Sequence, residues 1–196
     1  CIEILFMNSN NKLNCSLTGD SYFIKEMFLF KEMNNILICE VNAKVSEKGV
    51  WCNPLRCDIE KAIKEKVFDK LLNKKLKIPS FFMKSIENNL RVKILSLVGL
   101  SKKAGLLKIG YDKLIIGLKN KSIDAVLIAK EDTKLNGFIL QKESENEVLF
   151  NKDFSKAEIG KAIGYEKVLC VALLKSNLSQ SLNQSLYKLN KFQFIK

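Results

Sequence analysis

Histidine is absent from the 196 residues. Imidazole general acid–base catalysis, Ser-His triads and His-ligated metal centres are excluded with it. Arginine is nearly absent too: Arg56 and Arg91 are the only two among 33 basic residues. The cation on offer is therefore lysine, which gives a phosphate a point charge but lacks the bidentate fork that reads guanine. No apolar run approaches the ~20 residues that a bilayer span needs. There is no flexible Gly/Ser linker, no phosphate-cradling glycine loop and no paired-carboxylate constellation. These absences predict a protein that is neither an enzyme nor membrane-bound, and that needs no cofactor.

What is present is a real core and a strong positive charge. Hydrophobic residues make up 47% of the chain, and the net charge is +12. The length suits two domains of ~80 to 110 residues. From Asn89 onward 19 Lys and Arg face 10 Asp and Glu; the first 88 residues hold 14 against 11. Within that first part Lys61 to Lys84 carries eight lysines against Glu65 and Asp69. Each half thus owns a basic zone, as a polyanion binder would, and phosphate contacts are favoured over base readout. The six cysteines, at 1, 15, 39, 52, 57 and 170, read as free thiols of a reducing compartment. A structural zinc site wants four ligands; Cys15, Cys52 and Cys57 are three, so buried small hydrophobes are the better reading and no metal is expected.

The stretch Leu95 to Asp132 organises the chain. It reads as a helix ending in Lys102-Lys103-Ala104-Gly105, an approach to Gly110, a second helix, and the buried strand Ala125 to Ala129. In the second helix Tyr111, Leu114, Ile115 and Leu118 form one apolar stripe. Asp112, Lys113 and Ile116 face away from it. The unpaired N–H groups at that helix start favour an anion, Gly110 permits close backbone approach, and Lys102, Lys103 and Lys108 lie just before. Further on, Thr133–Gln141 reads as a helix, Glu143–Glu147 as an acidic loop and Glu147–Asn151 as a short strand. Ser155 with Glu158 forms a capping box, Lys167–Leu174 is a strand, and the tail helix from Ser176 carries Leu178, Leu182, Leu186 and Leu189. The sum is a three-layer α-β-α sandwich.

Residues from about 90 to 192 resemble the bacterial members of the kink-turn-binding ribosomal-protein family, the L-seven-Ae group. The matching pieces are Lys102-Lys103-Ala104-Gly105, Gly110 opening a helix, Val126-Leu127-Ile128-Ala129 with Glu131-Asp132 behind, and Ala157-Glu158-Ile159-Gly160-Lys161-Ala162-Ile163-Gly164. The family reads sheared G·A pairs with Asn-Glu-x-x-Lys after the glycine; here those positions are Asp112, Lys113 and Ile116. The resemblance implies an RNA-binding fold, with Tyr165 and Lys167 in a second RNA-contacting loop.

The earlier part of the chain holds Cys15, Thr18-Gly19, Lys25-Glu26, a strand over Ile36 to Val41, Glu47-Lys48-Gly49-Val50-Trp51-Cys52, and Asn53-Pro54 as the start of a helix through Ile59, Ala62 and Ile63. Trp51 reads as core. This arrangement resembles the YlxR family, small bacterial domains regarded as RNA-binding. The family's Gly-Arg-Gly is Glu47-Lys48-Gly49 here, and its Leu-Glu-Lys-Ala helix is Ile59-Glu60-Lys61-Ala62.

The expectation is thus a tail or edge strand over 1–14, a small two-layer α/β YlxR-like domain over 15–86, and the α-β-α domain over 87–196. The protein would be a monomeric cytoplasmic binder of structured, ribosomal or translation-linked RNA. Its contacts would be Lys102, Lys103, Lys108, Gly110, Asp112, Lys113, Tyr165 and Lys167, with a second grip from Lys48, Gly49, Arg56, Lys61 and Lys64. The alternatives are a protein-interaction adaptor on the same fold, or an accessory to RNA modification.

Overall fold

The computed structural model describes residues 12–132, 141–142 and 148–194. Most of the expected N-terminal tail, the helix expected over Thr133–Gln141 and the acidic loop Glu143–Glu147 lie outside them. The chain divides into two units, residues 1–90 with 187–196, and residues 91–186.

In the first unit Lys12–Asn14 (β1) and Ser21–Phe23 (β2) form an antiparallel pair. A second sheet holds Phe28–Met33 (β3), Ile36–Glu40 (β4) and Val50–Cys52 (β5) in the order β4-β3-β5, all antiparallel. Asn34 and Asn35 join β3 to β4 at φ 54° and 60°, the doubly positive turn whose twist matches a two-residue hairpin. Alternation along β3 turns Phe28 and Phe30 to one face. There Phe30 meets Phe68 of helix Val67–Leu71 (α2) at 4.8 Å and Phe82 at 6.3 Å, and Phe28 meets Phe192 at 5.9 Å. All five rings are buried. Trp51 is buried as well.

Helix Arg56–Lys64 (α1) starts later than the sequence implied. Its N-cap is Leu55, with no side-chain bond. Asn53, read as the cap, is buried and its N–H donates to the Cys15 sulfur at 3.3 Å. With that peptide tied to the β1–β2 turn, Asn53-Pro54 stays outside the helix, which begins two residues further on.

Phe82–Lys103 forms one helix (α3), of which the residues from Arg91 belong to the second unit. That unit's sheet runs Leu107–Ile109 (β6), Cys170–Leu174 (β9), Ile123–Ile128 (β7), Leu149–Asn151 (β8); β9 is antiparallel to both neighbours and β8 parallel to β7. Val126, Ile128, Cys170 and Ala172 pack with Leu114 and Leu118 of helix Tyr111–Lys119 (α4). Ala125, Leu127, Val171 and Leu173, on the other face, are fully buried too, so the sheet is the middle of three layers. Each such branched side chain contributes about 1.5–3 kcal/mol by leaving water.

Two helices complete the unit. Lys156–Ala162 (α5) carries the expected capping box: Glu158 N–H donates to Ser155 Oγ at 3.2 Å, and Ser155 N–H to Glu158 Oε2 at 2.8 Å. Such a cap is worth about 1 kcal/mol. Asn177–Gln193 (α6) buries Leu182 and Leu186, and ties to β7 through Asp124. Ser179 Oγ donates to the Asp124 carboxylate at 2.6 Å and Asn183 Nδ2 to its carbonyl at 3.3 Å. From Tyr187 on, α6 belongs to the first unit. Among the described residues no helix is long and apolar enough to cross a membrane.

Candidate nucleic-acid interface

The end of α3 is set by a missing side chain. A Cβ on Gly99 would lie 2.7 Å from the Ala162 carbonyl oxygen, so α3 and α5 touch backbone to backbone. This brings Lys102, one turn further along α3, over the chain that leaves α5. Its Nζ donates to the Ile163 carbonyl and lies 4.3 Å from the centre of the Tyr165 ring. Gly164 turns the chain at φ 74°. Tyr165 N–H then returns to the Gly160 carbonyl at 2.9 Å, and Val168 N–H to that of Lys156 at 2.9 Å. A Cβ on Gly160 would meet the Tyr165 oxygen at 2.8 Å and Glu166 backbone at 2.9 Å. The loop 163–168 is therefore clamped on α5, and it presents a half-exposed aromatic ring, Tyr165, under an ammonium.

The other end of α5 is anchored by Arg91. Its guanidinium bonds Glu158 Oε1 at 2.7 Å and the Asp153 carbonyl at 3.3 Å, and lies 4.4 Å over the Phe154 ring. Burial works to raise the Glu158 carboxyl, but the Ser155 N–H and hydroxyl and the Arg91 charge outweigh it and hold the group at about 2.

Two backbone bonds bring the start of α4 and the end of β7 to the same edge. Gly110 N–H donates to the Cys170 carbonyl at 3.2 Å, and Ala129 N–H to that of Leu169 at 2.7 Å. Leu169, which ends the loop, is exposed. Gly110 caps α4 at φ 90° without any side-chain bond. Asp112 and Lys113 stand exposed in the first turn. The Asp112 carboxylate sits at the positive end of the helix dipole, so part of that field is already answered. Tyr111 instead turns inward: its hydroxyl donates to Asp132, and burial followed by this bond pushes the phenol up.

The expected contacts thus separate. The structure joins Lys102 directly to Tyr165. Gly110, Asp112 and Lys113 belong to the adjoining strand-end edge, and Lys103 is exposed beside Lys102. Lys167 is exposed and 3.2 Å from Glu166, a solvated pair of little energetic weight. Lys108 lies half-buried on the edge strand β6, opposite Ala172.

In the first unit Gly49 has a packing role. A Cβ there would lie 2.6 Å from the Phe30 carbonyl oxygen. Arg56 bonds Glu60 at 2.7 Å one turn along α1 and lies 5.8 Å over Phe192. Lys48, Lys61 and Lys64 are exposed. Cys15 and Cys52 are buried. The neighbouring Cys52 thiol, and after it the Asn53 N–H, draws Cys15 down to about 5, while Cys15 and burial push Cys52 up.

Gly99 and Arg91 carried a sequence signal that the expected site did not use, and Gly160 was named only as part of the family-like helix. A glycine inside a helical pattern marks a close approach, and an arginine in so lysine-rich a chain marks a place where a planar fork is needed.

No family model and no curated protein matches the chain. Among solved structures, one similar to it is a protein of unknown function from Bacillus halodurans, 19% identical over 47% of this chain and 95% of the other, with a TM-score of 0.42. Another is the 15.5 kD RNA binding protein of Giardia lamblia, 16% identical over 53% of this chain and 90% of the other, with a TM-score of 0.47.

Proposed function

We propose that this protein is a non-catalytic RNA-binding protein that grips structured RNA, ribosomal or otherwise linked to translation, mainly through lysine–phosphate contacts. The observation that carries the reading is the Lys102–Tyr165 pair on its clamped loop. A cation 4.3 Å from a half-exposed ring, on backbone fixed at both ends by hydrogen bonds, offers a phosphate a charge and a base or ribose a flat face, with little left to order on binding. Lys103, Lys113 and Lys167 extend the charge. Lys108 adds to it from the strand edge, and Lys48, Lys61 and Lys64 give the first unit a grip of its own. Asp112, Lys113 and Ile116 stand where kink-turn binders carry the residues that read sheared pairs, so the reading is one of shape and backbone rather than base sequence.

The test is the affinity of the intact protein for a folded ribosomal RNA fragment, measured by fluorescence anisotropy across a salt series. Six to eight phosphate contacts give a log–log slope of roughly −4 to −7. A slope near zero refutes the mechanism. A pull-down partner that survives nuclease treatment while no RNA crosslinks in cells would favour the adaptor instead.

A further inference from the structure

The segment between α2 and α3 is pinned rather than loose. Lys77 N–H donates to the Asn35 carbonyl at 2.7 Å and Leu37 N–H to the Lys77 carbonyl at 3.1 Å, which lays the segment along the edge of β4. Lys74 N–H bonds the Asp69 carbonyl at 3.0 Å, and Lys74 Nζ bonds Glu32 at 2.7 Å. The only carboxylate between Lys66 and Lys84 is Asp69, and it is spent on the backbone, accepting from Leu76 N–H at 3.4 Å. Lys75, Lys77 and Lys84 are all exposed.

Phe81 lies between Lys77 and Lys84 in the chain. Its neighbour Phe82 fills the ring cluster under β3, while Phe81 itself is 65% exposed, the most of any large apolar side chain among the described residues. Phe82 N–H donating to the Pro79 carbonyl at 2.9 Å, and Ser85 N–H to the Phe81 carbonyl at 2.8 Å, fix its backbone on both sides. A large ring held in water on rigid backbone serves no packing purpose. With exposed Lys75 and Lys77 before it and Lys84 after it in the chain, it offers an aromatic face beside backbone-binding charge, the combination that single-strand binders use.

We propose that Lys75, Lys77, Phe81 and Lys84 form a second nucleic-acid contact in the first unit, one that takes single-stranded RNA by stacking a base on Phe81 with phosphates on the lysines. This rests on the RNA-binding reading above but uses different residues and a different form of the ligand. An acidic protein segment would meet the charges equally well; it would gain nothing from an aromatic face that every base can use.

Two probes separate the two sites on the intact protein: a fluorescein-labelled 12-mer of uridine, and a blunt RNA hairpin without unpaired ends. Phe81→Ala is expected to weaken 12-mer binding on the order of ten-fold and to leave hairpin binding unchanged. Phe81→Trp should restore it, which an effect of misfolding would not. Lys75→Ala with Lys77→Ala should flatten the 12-mer's salt slope by about 1.4. If Phe81→Ala binds the 12-mer as tightly as the parent, or if polyglutamate displaces the 12-mer equally from both, the platform is overturned. Hairpin binding without 12-mer binding overturns this inference alone. Loss of both in the parent protein overturns the function with it.

Discussion

Gly160→Ala is a one-methyl perturbation that tests how the proposed interface is built. The added Cβ would fall 2.8 Å from the Tyr165 carbonyl oxygen and 2.9 Å from the backbone of Glu166. Both partners are main chain, so no rotamer change relieves the contact; loop or helix must shift by roughly half an ångström to reach ordinary van der Waals separation. The bonds from Tyr165 N–H to Gly160 and from Val168 N–H to Lys156 stand in the way of that shift. Overpacking of this kind costs about 1–3 kcal/mol, and the better helix propensity of alanine returns at most about 1 kcal/mol. The expected net is a destabilisation of about 1–2 kcal/mol. In urea, the midpoint of the transition should drop by about 0.5–1 M. Hydrogen exchange should speed up at the Tyr165 and Val168 amides before it does in β7 or β9. A Gly160→Ala protein as stable as the parent, with both amides still protected, would refute the clamp.

Replacing Lys102 and Lys103 by alanine should weaken RNA binding alike for all sequences and flatten the salt slope; a loss confined to one sequence in a binding-selection experiment would contradict backbone contact. The Glu158 carboxyl is held at about 2, below its unfolded value near 4.3. Its contribution is therefore complete above that unfolded value and is lost as pH falls towards 2; Arg91→Met should shrink this acid-dependent part of the stability, read by denaturant titration from pH 6 to 2. Cys15, drawn down to about 5, favours folding increasingly as pH rises from 5 towards the free-thiol range, and Cys15→Ser should flatten that rise. Because Cys15 is buried and Cys57 exposed, mass-spectrometric mapping of brief iodoacetamide labelling at neutral pH should find Cys57 modified first.

The long and strongly patterned elements were legible in the sequence. The stripe Tyr111, Leu114, Ile115, Leu118 and the Ser155–Glu158 box depend on residues close in the chain: Leu114 and Leu118 are buried with Tyr111 and Ile115 half-buried, the box forms, and the strand read over Ala125–Ala129 is there but runs Ile123–Ile128. The start of α1 was misread because Asn53-Pro54 has the form of a cap, while the bond that overrides it comes from Cys15, far away in sequence. The same holds for the interface. Lys102 and Tyr165 were named singly as expected contacts, but their pairing depends on the Gly99–Ala162 and Gly160–Tyr165 approaches, which no local pattern encodes. Phe81 was not singled out for the opposite reason: beside Phe82 it looks like core, and only its exposure in the fold tells the two rings apart.

The ring cluster under β3 also sets a schedule for synthesis. Phe28, Phe30, Phe68 and Phe82 leave the ribosome early, yet Phe192, which packs edge-on against Phe28, and Lys188, whose ammonium bonds the Val41 carbonyl at 2.9 Å, follow only after the whole second unit. Until the last turns of α6 emerge, the first unit must wait with one side of its aromatic cluster unfilled. Domains usually fold in the order in which they are made; here the unit begun first is the one finished last.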